Sequence, residues 1–139
     1  MDEGEKKFFS VNEAEAMIPK LEAVMGRLMD LHSEAGRIRG LLQEEQRKIM
    51  LDGGRLINVV EFRDLKGRLE ALTAEIKAGI GRTVGMGAVP KDLGQGLVDF
   101  PYLLGDEEVN LCWRFGEKHI RFWHGLDEGF AGRKPLSDK

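Results

Sequence analysis

The 139-residue chain is short of several things, and each shortage closes off a class of function. A single cysteine, Cys112, rules out an internal disulfide framework and any cysteine-rich zinc module. No apolar run approaches membrane-spanning length, and Met1 to Lys7 is polar and acidic, so neither an anchor nor a signal peptide is expected. An excess of one charge is also missing: 21 Lys+Arg stand against 24 Asp+Glu, a net charge of -3 that gives no reason to expect nucleic acid or an anionic membrane as partner. The length suits one domain and leaves no room for separate cofactor and substrate modules. With 42% hydrophobic and 32% charged residues, the chain reads as a folded protein of the cell interior, and the cytoplasm is the expected compartment.

What is present divides unevenly. Up to Thr83 the chain holds 14 of its 21 basic residues but only Phe8, Phe9 and Phe62 of its ten aromatics; the other seven aromatics and three of the four prolines lie beyond. The division predicts a helical hairpin over 8–83 and a small β-sheet with an irregular tail over 84–139, within one domain.

Ser10 followed by Glu13 is a capping box, predicting a short helix from Val11 to Ile18 that kinks or restarts at Pro19. Leu21, Val24, Leu28, Leu31, Ala35, Ile38, Leu42, Glu45 and Ile49 then follow steps of three and four, a heptad seam along a helix of about 45 Å at ~1.5 Å per residue. Asp52-Gly53-Gly54 ends it, and Phe62, Leu65, Leu69, Leu72 and Ile76, up to Gly79, form a second seam. Two apolar stripes joined by so short a turn pack antiparallel. What the pair leaves exposed calls for a third surface, either the C-terminal part or a second copy of the chain, so a homodimer is expected.

From Gly79 to Gly96 the glycines predict an irregular connection; Gly85-Met86-Gly87 lacks the strand before it and the Gly-Lys-Ser/Thr ending that a nucleotide loop needs. Leu97 to Phe100 reads as a strand stopped by Pro101, and Asp106-Glu107-Glu108 as a solvated turn. Val109 to Phe115 and His119 to His124 read as a hairpin about a II′ turn at Gly116-Glu117. That turn pairs Trp113 with Ile120, Leu111 with Phe122 and Val109 with His124. It places Trp113 and Phe122 on the helix-facing side, with Cys112, Arg114, Arg121 and Trp123 on a wetter face opposite.

Gly96-Leu97-Val98-Asp99-Phe100-Pro101, Leu111-Cys112-Trp113, Gly116-Glu117, Trp123-His124 and Gly129-Phe130-Ala131-Gly132-Arg133-Lys134-Pro135-Leu136, with the opening Phe9-Ser10-Val11-Asn12-Glu13-Ala14 and Pro19, together resemble a bacterial family, domain-of-unknown-function family 2203. The resemblance covers nearly the whole chain. Lys91-Asp92 matches the family's usual pair before Gly96, while Pro90 interrupts the aliphatic stretch ahead of it. The resemblance implies a prokaryotic, cytoplasmic setting and carries no activity, so chemistry has to be argued from side chains.

Asp99, Cys112, Glu117, His119 and His124 offer metal-donor atoms within one small sheet, although the strand alternation above sets Cys112 and His124 on opposite faces. A divalent metal is the one cofactor they suggest. The ionic set Lys91, Asp92, Asp99, Arg114, Glu117 and Arg133 offers an anion-binding alternative, or a structural one in which Arg133 folds back on Asp99 or Asp92. Asp99, in an otherwise apolar strand, needs a partner. No nucleophile elbow or carboxylate pair is present, Ser10 is taken as a cap, Ser33 and Ser137 stand alone, and His32 flanks the first seam. The expectation is an α+β protein serving as a non-enzymatic assembly module. The alternative is a small metal- or anion-binding protein or enzyme whose site lies between Lys91–Asp99, the hairpin and Gly129–Arg133.

Overall fold

The computed structural model describes residues 7–51, 53 and 59–136. Three helices, α1 (Val11–Ala16), α2 (Ile18–Leu51) and α3 (Val59–Gly85), precede five strands: β1 (Val89–Asp92), β2 (Leu97–Leu104), β3 (Glu107–Arg114), β4 (Phe122–His124) and β5 (Lys134–Pro135). The architecture is α+β.

The capping box forms as expected. Ser10 Oγ accepts from the Glu13 amide at 3.0 Å and the Glu13 carboxylate accepts from the Ser10 amide at 2.8 Å. Helix α1 ends at Met17, and α2 starts afresh with Pro19 in its first turn, where a missing amide costs nothing. The 34 residues of α2 span about 51 Å. Arg27 meets Glu75 and Glu34 meets Arg68, each at 2.7 Å, so the partner number falls along α3 as it rises along α2 and the helices run antiparallel. Gly79 marks a close approach of the two, since a Cβ there would lie 2.6 Å from Leu28 Cδ2. Asp52 and Gly54, which the sequence places in the connecting turn, lie outside the described residues, as do Met1 to Lys6 and Ser137.

Burial is uneven along the hairpin. Ile18, Leu21, Met25, Leu28, Leu31, Ala35 and Ile38 are buried in α2, but past Ile38 the apolar residues that face α3 are only half covered. The deep core therefore sits at the root of the hairpin, where α1 and α2 pack with Phe9, Val98, Phe100, Leu111, Trp113 and Ile120. Helix α3 runs on to Gly85, and the following segment is less irregular than its glycines suggest, because Val89–Asp92 forms the edge strand β1.

The sheet is an antiparallel meander in the order β1-β2-β3-β4-β5. Pro101 does not stop β2. Its carbonyl accepts from the Phe9 amide at 2.8 Å, on the side of β1 but beyond that strand's first pair, Val89 with Asp99, so the amide it lacks would have met no ladder partner. Glu107 and Glu108 lie in β3, with Gly105 and Asp106 making the turn before them. Part of the tail is ordered as β5, which pairs Lys134 with Trp123.

The β3–β4 register differs from the expected one by a single residue. Asn110 pairs with His124, Leu111 with Trp123 and Cys112 with Phe122. The turn is centred one position earlier: the Arg114 carbonyl accepts from the Glu117 amide at 2.9 Å, and Gly116, with φ 101, occupies the third turn position that demands positive φ. The Glu117 carboxylate accepts from the Arg114 amide at 2.8 Å, holding the chain off the two-residue hairpin, and β4 begins only at Phe122. A one-residue shift moves every side chain of a strand to the other face. Trp123 thus shares the helix-facing side with Trp113, and Phe122 and His124 share the outer side with Cys112.

Candidate functional site

The outer face of the sheet is not the wet surface expected. Asp99 on β2 stands beside Cys112 on β3, and His124 on β4 reaches the same point; their exposures are 2%, 1% and 3%. One donor atom from each of the three lies within 4.8 Å of the others. The cover is the return chain after β4, with a 3-10 turn at Phe130–Gly132. Between cover and sheet is a cavity of about 80 Å³ lined by Lys91, Leu97, Asp99, Cys112, His124, Glu128, Gly129 and Phe130.

The hydrogen bonds of His124 fix where its protons are. Nδ1 lies 2.9 Å from the Gly125 carbonyl, which can only accept, so Nδ1 carries a hydrogen. Nε2 lies 3.0 Å from both carboxylate oxygens of Asp99 and bonds to Oδ1. A bare ring nitrogen facing a bare carboxylate would be repulsive, so one further proton bridges Nε2 and Asp99. Burial is the largest influence on Asp99 and raises its pKa, opposed by the hydrogen bond and charge of His124 and then by Lys91 and Arg133. Oδ2 of Asp99 is buried without a hydrogen bond; the Lys91 ammonium stands 3.9 Å from it. Burial likewise pushes the Cys112 thiol up to about 11, the nearby Arg133 charge opposing it. A neutral thiol beside a histidine whose two nitrogens are already engaged is no nucleophile–base pair.

Arg133 anchors the cover. Its guanidinium lies 4.1 Å from the Phe122 ring centre and 4.6 Å from that of Phe130. It donates to Glu117 Oε1 at 2.8 Å and to the Cys112 carbonyl at 3.2 Å. Its carboxylate partner is thus Glu117, not Asp99 or Asp92 as expected, because the type II turn swings Glu117 under the tail. Glu128 closes the other side: its carboxylate accepts from the Gly125 amide at 2.7 Å and from Lys134 at 2.6 Å, and Lys134 before Gly125 lowers its pKa.

Of the residues singled out from sequence, Asp99, Cys112, His124 and Lys91 meet around the cavity. Glu117 is occupied by Arg133 and its own turn. Arg114 is exposed, 5.5 Å from the Phe130 ring centre. Asp92 binds the Gln95 amide at 3.0 Å, which is the chief reason its pKa is lowered. His119 lies 3.5 Å from Glu15 at the edge of a separate groove. His32 is exposed. Glu128 and the Gly125 carbonyl were not anticipated, since only the folded return chain sets them against His124.

An imidazole, a thiol and a carboxyl are the donor types that borderline-soft ions such as zinc take. Bonds of about 2.0–2.3 Å around a tetrahedral ion separate donors by roughly 3.3–3.8 Å. The present cluster spans 4.8 Å, so side-chain rotation of about an ångström would close it. A backbone carbonyl holding Nδ1 while Nε2 faces the other donors is the usual orientation of a metal-ligating histidine.

The fold and the cluster together define a helical hairpin that carries a five-stranded sheet with a polar site buried in its outer face. The family model of uncharacterized conserved proteins, DUF2203, matches residues 7–136, and the chain belongs to that family. No curated protein and no solved structure matches it. No helix among the described residues is long and apolar enough to cross a membrane.

Proposed function

We propose that this chain is a metal-binding protein, with Asp99, Cys112 and His124 holding one divalent cation of the zinc type. The observation that supports it is the convergence of three buried donors of different chemistry at the base of a cavity, with His124 aimed by the Gly125 carbonyl. The assembly module favoured by the sequence gives way to this alternative because the shifted β3–β4 register puts Cys112 and His124 on one face. The setting proposed is the cytoplasm of a bacterium. The test is elemental analysis of protein purified without chelator, with zinc and cobalt titrations of the apoprotein. Close to one equivalent per chain is expected, bound more weakly in Cys112→Ser and falling to background when His124→Ala and Cys112→Ser are combined. Absence of tight binding by the folded wild type would refute it.

A second reading concerns assembly. Met50, Leu51, Val59 and Val60 are exposed towards the end of the hairpin far from the sheet, where among the described residues α2 and α3 cover only each other, and a homodimer formed as a coiled coil would bury them. Light scattering tests this: a dimer that Leu51→Glu with Val60→Glu turns into a folded monomer supports it, and a monomeric wild type refutes it.

A further inference from the structure

We infer that the metal held by Asp99, Cys112 and His124 keeps a coordination position open to the cavity, and that this position takes a small monoanion of carboxylate size paired with Lys91. The inference rests on the metal reading above and adds the ligand class.

Three considerations carry it. Among the described residues the cluster supplies three donors, whereas a tetrahedral ion takes four; three protein ligands with a vacant fourth place is the pattern of zinc sites that bind exchangeable ligands. The adjoining cavity measures about 80 Å³, room for a few waters or an acetate-sized molecule and far below the several hundred Å³ that nucleotide-sized ligands occupy.

Charge sets the sign of the ligand. A divalent ion with one carboxylate, one thiolate and a neutral imidazole is a neutral centre. Around it, Glu128 is paired with Lys134 at 2.6 Å and Arg133 with Glu117 at 2.8 Å. Lys91 alone among the cavity's charged lining residues leans on a ligand, standing 3.9 Å from Asp99 Oδ2, and coordination of Asp99 spends that carboxylate's charge on the metal and weakens the contact. The ammonium is half exposed on edge strand β1, so its stem is free to turn towards the vacant position. A single positive charge beside a neutral metal centre favours a monoanion over a neutral molecule or a dianion.

The test is an electronic spectrum of the cobalt-loaded full-length chain, titrated with acetate and then formate at ionic strength held constant with perchlorate. A saturable change in the cobalt d–d bands is expected, with the acetate dissociation constant raised tenfold or more in Lys91→Gln. A spectrum that ignores both anions would overturn the open position. Such a spectrum that becomes anion-sensitive in Glu128→Gln would show that Glu128 fills the fourth place, which also overturns it. Equal acetate affinity in wild type and Lys91→Gln would overturn the role of Lys91. Failure of the wild type to take up cobalt is a separate result, seen before any anion is added, and removes the metal reading itself.

Discussion

Loading the apoprotein with zinc at pH 7 should release two protons. One comes from Cys112, whose buried thiol is pushed up to about 11 and is therefore neutral before the metal arrives. The other is the proton that bridges His124 Nε2 and Asp99, required because Nδ1 is already committed as a donor to the Gly125 carbonyl. The metal takes the place of both. Since protons leave on binding, affinity rises with pH, and two protons correspond to about 100-fold per pH unit, or about 2.7 kcal/mol, around neutrality. Calorimetric titrations in buffers of differing ionisation enthalpy measure the count directly. Cys112→Ser should release one proton, as should Asp99→Asn, which has no carboxyl to share the bridging one. A count of zero for the wild type would mean that neither donor group is displaced, and a count of one that either the thiol or the His124–Asp99 bridge survives.

Other consequences are independent of the metal. Cys112 should resist thiol reagents in the native apoprotein and react at ordinary rates once unfolded, and rapid native labelling would contradict its burial. Gly79→Ala should destabilise by about 1–2 kcal/mol, because the new methyl meets Leu28 Cδ2 at 2.6 Å and overpacking outweighs the gain in helix propensity; denaturant melts decide it. Gly36→Ala, with open space around the added carbon, should stabilise by about 0.5–1 kcal/mol in the same assay. Arg133→Met should cost about 1–3 kcal/mol through the lost Glu117 pair and ring stacking, and an unchanged melt would show that the tail is not held by it. The lowered pKa of Glu128 means that its tie to Lys134 and the Gly125 amide is present above the ordinary glutamate range and is lost as pH falls through the lowered value. The Gly125 amide shift in NMR should follow that acid step and lose it in Glu128→Gln.

The helical half of the fold was legible because its signals are local. Ser10 and Glu13 cap one another across three residues, Pro19 restricts where a helix can start, and the two seams repeat over enough turns that one misplaced residue changes little. The sheet depended on a decision that local chemistry leaves open. Gly116 with positive φ suits the first central position of a II′ turn and the second of a type II turn equally well. What selects the second is the Glu117 carboxylate on the Arg114 amide and the Glu117–Arg133 pair, and the latter spans 16 residues. A two-residue turn at either position leaves Cys112 and His124 on opposite faces; the odd number of residues between the paired Cys112 and Phe122, which the departure of the chain after Glu117 creates, is what brings them to one face, so the donor types were readable while their assembly was not. That Asp99 needs a partner followed from its apolar strand, but that the partner is His124 did not. Pro101 misled for a related reason: whether its absent amide matters depends on where β1 begins. The two-residue strand β5 is too short to carry a period.

X-ray absorption at the zinc edge of the loaded protein tests the Asp99–Cys112–His124 centre most directly. One sulfur at about 2.3 Å with nitrogen and oxygen neighbours at about 2.0–2.1 Å is expected, the sulfur disappearing in Cys112→Ser. A shell made only of oxygen and nitrogen in the wild type would mean that the cation sits elsewhere and that the buried cluster is a structural knot and not a metal centre.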